Sequence, residues 1–227
     1  MVEGPVKMKF MDVKLKSPEM SINSGEPGSG KTVLTFDLAD RLYKQTGKPV
    51  YVALTETDRP IESYKVPKYF HSFRGELSKE TVPLDSIFIV DDLQRIAHAR
   101  RTMSNDNVFM DQMHALLRHN NVDFIYDTQT LAGIDRNHIL RAKYRWYKQP
   151  YDKESELGRV QVKDEVLTAD RELRGKDKTW AFLFTRDYKG LVSDIPLPGY
   201  WTEELSTLHR RDDSWRGRIA QQYRRII

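Results

Sequence analysis

The sequence contains no cysteine, which excludes disulfide bonds and thiolate zinc sites. Its six histidines are scattered and have no spacing typical of a metal site. No run of roughly 18 apolar residues is present, so we expect no membrane-spanning helix. The N-terminal segment lacks the continuous apolar stretch of a secretion signal, so we expect none. These absences favour a soluble globular protein in a reducing compartment.

Positive charge is concentrated at one end of the chain. The 227 residues carry a net charge of +4, and residues 208–227 contain six arginines against two acidic residues. This segment therefore accounts for the excess of the whole chain. A basic surplus of this kind is compatible with a polyanionic partner, and equally with a solvated tail.

A glycine-rich loop is the most specific motif. Residues 25–32 read GEPGSGKT and match the pattern G-x-x-x-x-G-K-[ST] in full. In this pattern the glycines let backbone N–H groups converge on phosphate oxygens, the lysine reaches the β- and γ-phosphates, and the threonine hydroxyl binds Mg²⁺. We therefore predict that the loop binds ATP with Mg²⁺. The residues expected to contact the nucleotide are Gly25, Glu26, Pro27, Gly28, Ser29, Gly30, Lys31, Thr32 and Val33.

The loop is flanked by a pattern typical of a parallel α/β sheet. We expect strands at 20–23, 49–54, 86–90, 122–126 and 142–148, and a short one within 69–73. Helices are predicted at 31–45, with Gly47 as its stop, and at 93–101 and 108–119. Because strands alternate with helices, the fold class is α/β with a mostly parallel sheet covered on both faces.

The pattern changes after Pro150. Residues 156–168 and 178–185 look like strands without long helices between them, which predicts a hairpin-like extension. Short helices are expected at 202–208 and 214–225. We therefore divide the chain into a nucleotide-binding core, residues 1–150, and a small β/helical extension, residues 151–227, packed on the same domain.

Polar residues follow two of the predicted strands. Asp91 and Asp92 end the run SIFIVDD, and Gln129 follows the next strand, VDFIY. Ligands of parallel α/β sheets bind at the carboxyl ends of strands. We expect Asp91, with Thr32, to bind Mg²⁺, Asp92 to polarise an attacking water, and Gln129 to reach the γ-phosphate or that water. The competing interpretations are a helix N-terminus rich in Asp and a polar loop residue.

Arginines are candidates for a finger that neutralises transition-state charge, or for contacts with DNA. The sequence does not choose among Arg95, Arg100, Arg101, Arg118, Arg136 and Arg141. The run YRWYK at 144–148 interleaves aromatic and cationic residues, which would allow stacking on bases. A strand with Tyr144 and Trp146 packed on one face is the interpretation we favour.

Together, GEPGSGKT, IFIVDD, RHNNVDFIYDTQT and IDRN resemble the FtsK–HerA group of P-loop ATPases, over residues 21–150. More narrowly, the sequence is similar to the genome-packaging ATPases of membrane-containing icosahedral viruses and to Zot-like proteins of filamentous phages. One departure is that many relatives have Asp-Glu where this chain has Asp91-Asp92, which weakens the assignment of Asp92 as the base.

The resemblance implies a P-loop NTPase fold of the RecA/ASCE type, in which the strand before Gln129 lies between the strands before Gly25 and Asp91. It implies a homo-oligomeric ring, commonly a hexamer, that translocates double-stranded DNA and uses an arginine finger in trans. In a virus, portal-vertex or membrane proteins would be partners, and the host cytoplasm or the packaging vertex would be the location.

Two other functions stay open at the level of sequence. The first is a small-molecule phosphotransferase, since kinases use the same glycine loop but usually carry an arginine-rich lid. The second is a nucleotide-gated assembly or export protein of the Zot-like kind. DNA-stimulated ATP hydrolysis distinguishes the motor from both.

Overall fold

The computed structural model describes residues 6–55, 58–75, 78, 80–91, 117, 119–131, 134, 136–150, 160–206 and 208. Within these residues the strands are β1 Val6–Lys9, β2 Met20–Ser24, β3 Val50–Ala53, β4 Phe70–Phe73, β5 Ile87–Val90, β6 Asp123–Thr128, β7 Tyr144–Tyr147, β8 Ala181–Phe184 and β9 Lys189–Ser193. The helices are α1 Lys31–Thr46, α2 Arg136–Arg141, α3 Val160–Leu173 and α4 Glu203–Ser206, with 3-10 turns at Phe10–Asp12 and Ile61–Ser63.

All described strands belong to one nine-stranded sheet with the order β1-β9-β8-β7-β2-β6-β5-β3-β4. The pairs from β7 to β4 are parallel, as is the pair of β1 and β9, whereas β8 is antiparallel to both of its neighbours. Strand β6 lies between β2 and β5, which confirms the strand order implied by the resemblance. The predicted mostly parallel α/β fold is therefore confirmed.

The core lies on both faces of the sheet because successive side chains of a strand point to opposite faces. In β5, Ile87 and Ile89 join the apolar cluster that contains Leu38 of α1, whereas Phe88 joins the opposite cluster, which contains Val166 of α3. Both clusters are fully buried along this strand, which explains its uninterrupted apolar sequence.

Helix α1 packs against β2, β5 and β6. Its apolar residues recur every four positions, at Leu34, Leu38 and Leu42, and all three are buried. The helix ends where predicted, because Gly47 adopts a left-handed conformation and its N–H donates to the Tyr43 carbonyl at 2.7 Å. This packing fixes the start of α1, and with it the glycine loop, against the centre of the sheet.

The prediction of a strand at residues 156–168 is wrong, because α3 spans Val160–Leu173. Its β-branched residues favour a strand locally. However, its buried residues are Val162, Val166, Ala169 and Leu173, and this spacing of four, three and four places them on one helical face. Tertiary packing on the sheet therefore decides the conformation of this segment.

Strand β7 has the arrangement favoured from the sequence. Trp146 is fully buried and Tyr144 lies in the same apolar cluster, so neither ring is available to stack on a base. On the other face, Arg145 forms a two-pronged ion pair with Glu165 of α3, at 2.8 and 2.9 Å. Tyr147 donates a hydrogen bond to the same carboxylate at 2.9 Å.

The segment after Pro150 contributes two strands to the same sheet. Strand β8 lies within the predicted range 178–185 and forms an antiparallel hairpin with β9. Strand β1, which the sequence did not predict, pairs with β9 at the edge. The division at residue 150 stays a prediction. The helices predicted at 93–101 and 214–225, and most of 108–119, lie outside the described residues. No helix in the described ranges is long and apolar enough to cross a membrane.

Candidate nucleotide site

The glycine loop connects the carboxyl end of β2 to the start of α1. Gly30 is the N-terminal cap of α1 and adopts a left-handed conformation, with φ of 90°, that glycine tolerates at no steric cost. Gly25 is required for a different reason, since a Cβ atom there would lie 2.9 Å from Lys148 Cβ and 3.1 Å from the Gln149 carbonyl oxygen. The loop is therefore pressed against the end of β7.

Two side chains of the loop have the features of an anion site. The Lys31 ammonium donates to the Glu26 carbonyl oxygen at 3.0 Å, so it lies across the loop. The Ser29 side chain is 2% exposed, and its hydroxyl has no hydrogen-bond partner among the described residues. A buried hydroxyl in this state is unfavourable unless a ligand satisfies it. The first N–H groups of α1 also have no partner within the helix and favour negative charge.

Asp91 and Gln129 lie at the same edge of the sheet as the loop. Asp91 directly follows β5 and is 7% exposed, whereas Gln129 directly follows β6 and is exposed. Because β2, β6 and β5 are adjacent and parallel, their carboxyl ends meet at this edge. The structure therefore brings the loop, Asp91 and Gln129 to neighbouring strand ends.

The other predicted residues are Asp92 and the six arginines. Asp92, Arg95, Arg100, Arg101 and Arg118 lie outside the described residues. Arg136 begins α2, and Arg141 is the exposed last residue of the same helix. The roles proposed for all seven stay predictions.

Asp127 is a residue of this edge that the sequence did not single out. It is the penultimate residue of β6, is 3% exposed, and accepts a hydrogen bond from the Thr32 hydroxyl at 3.4 Å. The available signal was its position, two residues before Gln129 at the end of an apolar strand. Only the pairing of β6 with β2 places it opposite Thr32.

Lys148 and Gln149, at the carboxyl end of β7, were also missed. The Gln149 carbonyl accepts the Glu26 N–H at 2.8 Å, which anchors the start of the loop. The buried Lys148 ammonium donates to the carbonyls of Lys178 and Trp180, the latter at 2.7 Å. Burial lowers the pKa of Lys148 to about 8, and the nearby Asp177 carboxylate opposes this effect. These residues join the loop to the turn that precedes β8.

The residues present fit a nucleotide with Mg²⁺. The unpaired Ser29 hydroxyl, the Lys31 ammonium and the N-terminus of α1 are suited to phosphate oxygens. The Thr32 hydroxyl and the Asp91 carboxylate are oxygen ligands, which Mg²⁺ prefers, and Mg²⁺ commonly uses one or two carboxylates together with nucleotide phosphates and water. No cluster of three acidic or histidine ligands exists in the described part of the chain.

No protein-family model matches the sequence, and no curated protein is significantly similar to it. Solved structures are similar in fold. The genome-packaging NTPase B204 of Sulfolobus turreted icosahedral virus 2, in complex with sulfate, has a TM-score of 0.54 and 12% identity, over 76% of this chain and 94% of that chain. The pCW3 conjugation coupling protein TcpA, with ATPγS, has a TM-score of 0.55 and 11% identity, over 86% and 66%.

A third similar structure is the cytoplasmic domain of the type VII secretion ATPase EccC from Thermomonospora curvata. It has a TM-score of 0.56 and 15% identity, over 82% of this chain and 26% of that chain. At these identities the likeness is one of fold. The chain has the fold of the ASCE-type P-loop NTPases, and its structural neighbours include a viral genome-packaging NTPase and FtsK/HerA-type ATPases.

Proposed function

We propose that the protein is an ATP-driven motor that translocates double-stranded DNA, with viral genome packaging as its role. The observation that carries the proposal is the strand order β2-β6-β5, which brings Gln129 and Asp91 to the same edge as the glycine loop. A P-loop protein that only passes phosphate to a small molecule has no need of a glutamine at the end of β6, the strand between β2 and β5. The fold shared with a packaging NTPase and a coupling protein supports the same conclusion.

Each residue of the site has a separate role in the binding and hydrolysis of ATP. Lys31 exchanges the Glu26 carbonyl for the β- and γ-phosphate oxygens, and the Ser29 hydroxyl and the first N–H groups of α1 bind the remaining oxygens. Mg²⁺, held by Thr32 and Asp91, would neutralise the charge that develops on the phosphates. Gln129 orients the attacking water, and Asp92 accepts its proton.

Movement of DNA requires an assembly of several copies. The proposal includes a homo-oligomeric ring, with a hexamer as the expected form, around the duplex. One of the six candidate arginines supplies the finger to the neighbouring site, and others contact DNA phosphates. A portal-vertex or membrane protein of the virion would bind the ring. The motor would act in the host cytoplasm or at the packaging vertex.

The direct test is ATP hydrolysis measured with and without double-stranded DNA. We expect the duplex to stimulate turnover in the wild type, and Lys31→Ala to abolish it. Asp92→Asn should bind nucleotide and fail to hydrolyse it. Absence of turnover in the wild type would refute the proposal.

The same experiment separates the alternatives. Phosphate transfer to a nucleoside or metabolite, without stimulation by DNA, would indicate a kinase. Slow hydrolysis that DNA does not change, together with nucleotide-dependent association with coat protein, would indicate an assembly protein.

A further inference from the structure

Asp127 contacts the residue that is expected to bind the metal. It lies on β6, is buried, and accepts a hydrogen bond from the Thr32 hydroxyl through Oδ2 at 3.4 Å. Thr32 is the second residue of α1, so this contact joins the central strand to the first turn of the helix.

The sheet register explains why this strand residue meets Thr32. Tyr126 of β6 pairs with Val90 of β5, so the next residues, Asp127 and Asp91, follow at the same level on adjacent strands. On the other side, Asp127 pairs with Asn23 of β2. Asp127 therefore lies between the strand that leads into the glycine loop and the strand that leads into Asp91.

Asn23 provides an internal comparison. Its side-chain amide donates to the Thr35 hydroxyl at 2.7 Å, three residues after Thr32 on the same helix. Two polar residues in register on neighbouring strands thus hold two hydroxyls of α1. Only one of these hydroxyls, that of Thr32, belongs to the glycine-loop pattern.

A hydroxyl has one proton to donate and two lone pairs to offer. When its oxygen binds a cation, the proton must point toward another acceptor. The buried carboxylate of Asp127 is such an acceptor, and it also adds negative charge near the cation. Groups that orient a metal ligand in this way typically change metal affinity by about 10- to 100-fold when they are removed.

We propose that Asp127 is a positioning residue for Mg²⁺, which fixes the Thr32 hydroxyl so that its lone pairs face the metal of the bound nucleotide. The proposal rests on the proposed binding of ATP with Mg²⁺. It gives the strand of Gln129 a second role: the same strand positions the metal through Asp127 and presents Gln129 two residues later.

The test compares affinities for ATPγS in the presence of Mg²⁺ and in EDTA, measured by titration calorimetry. The ratio of the two affinities is the gain due to Mg²⁺. Asp127→Ala should lower this gain by about 10- to 100-fold. Asp127→Asn keeps a neutral acceptor of the same size and should restore part of it. Asn23→Ala, the matched control, should leave the gain unchanged.

Two outcomes would overturn the proposal. The first is an unchanged gain in Asp127→Ala, which includes an equal loss of affinity in Mg²⁺ and in EDTA. The second is an Asp127→Ala protein that does not fold even with Mg²⁺ and ATPγS, which would mean that the carboxylate serves the fold. If the wild type binds no ATPγS at all, the proposed function itself fails, which is a different result.

Discussion

Asp37 lies in the second turn of α1, and its carboxylate is held in an unfavourable environment. The residue is 6% exposed, and Oδ2 has no hydrogen-bond partner in the described part of the chain. Burial raises the pKa of Asp37 from 3.8 to about 6, an effect that Arg41 partly offsets and Asp40 reinforces. Folding is therefore expected to disfavour the ionised form.

The magnitude follows from the two pKa values. A difference of about 2 between the folded and unfolded pKa corresponds to about 3 kcal/mol. Because the folded pKa is the higher one, this stability is present below about pH 4 and is lost as the pH rises through about 6. The side chain of Asp37→Asn cannot ionise, so this variant does not lose stability in the same way as the pH rises. Its free energy of unfolding, relative to the wild type, should increase by about 2.5 kcal/mol between pH 4 and pH 7, because part of the loss has already occurred at pH 4.

Urea unfolding at several pH values between 4 and 7.5 would measure this difference. The new amide adds a constant offset, so the change with pH is the informative quantity. Asp40→Asn is the matched control on the same helix. Asp40 accepts hydrogen bonds from Lys44, at 2.6 Å, and from Tyr69, so its replacement should destabilise the protein at pH 7. A relative stability of Asp37→Asn that does not change with pH would refute the reasoning.

Three further predictions concern the site and its surroundings. The folded pKa of Lys148 is about 8 against an ordinary 10.5, so the wild type should gain about 3 kcal/mol relative to Lys148→Met between pH 7 and about 10.5. If urea unfolding shows a difference in free energy between the two proteins that does not change with pH, this prediction is wrong. In Gly25→Ala, the new Cβ would clash with Lys148 and with the Gln149 carbonyl, so calorimetry should show at least about tenfold weaker ATPγS binding. Gly47→Ala, also at positive φ but without a clash, should bind normally, and equal binding by both variants would count against the described loop. Truncation before Arg210 removes six arginines and should flatten the salt dependence of DNA affinity by up to about 5 in logarithmic slope. An unchanged slope would exclude this segment from DNA binding.

The central part of the fold could be predicted because its signals are local. Strand β5 is an uninterrupted apolar run, and α1 has leucines at helical spacing followed by Gly47. The edge strand β1 could not be predicted in the same way. Strand β1 is a short segment whose partner, β9, lies more than a hundred residues away in sequence, so its conformation depends on a long-range contact.

Helix α3 shows the opposite kind of failure. Its valines favour a strand locally, and its helical spacing is visible only when Val162, Val166 and Ala169 are read together with Leu173. Burial against the sheet outweighs the modest helix penalty of β-branched residues, which is a few tenths of a kcal/mol each, roughly. The segment therefore follows its packing rather than its local preference.

The residues of the candidate site also fall into two groups, those that local sequence patterns indicate and those that only the fold brings together. The glycine loop, Asp91 and Gln129 belong to patterns that are contiguous or follow a strand, so the sequence indicates them. Asp127 and Lys148 matter because neighbouring strands bring them to the loop, and that proximity follows from the strand order β7-β2-β6. The spacing of these residues along the sequence does not predict this proximity.

The most direct measurement of the proposed function is displacement of a third strand from a DNA triplex. A motor that translocates along duplex DNA should release the third strand with ATP and Mg²⁺, and not with ATPγS. Lys31→Ala should release none with ATP. ATP-dependent release by the wild type alone is the expected result. Equal release without ATP, or no release by a wild-type protein that hydrolyses ATP and binds duplex DNA, would contradict the proposal.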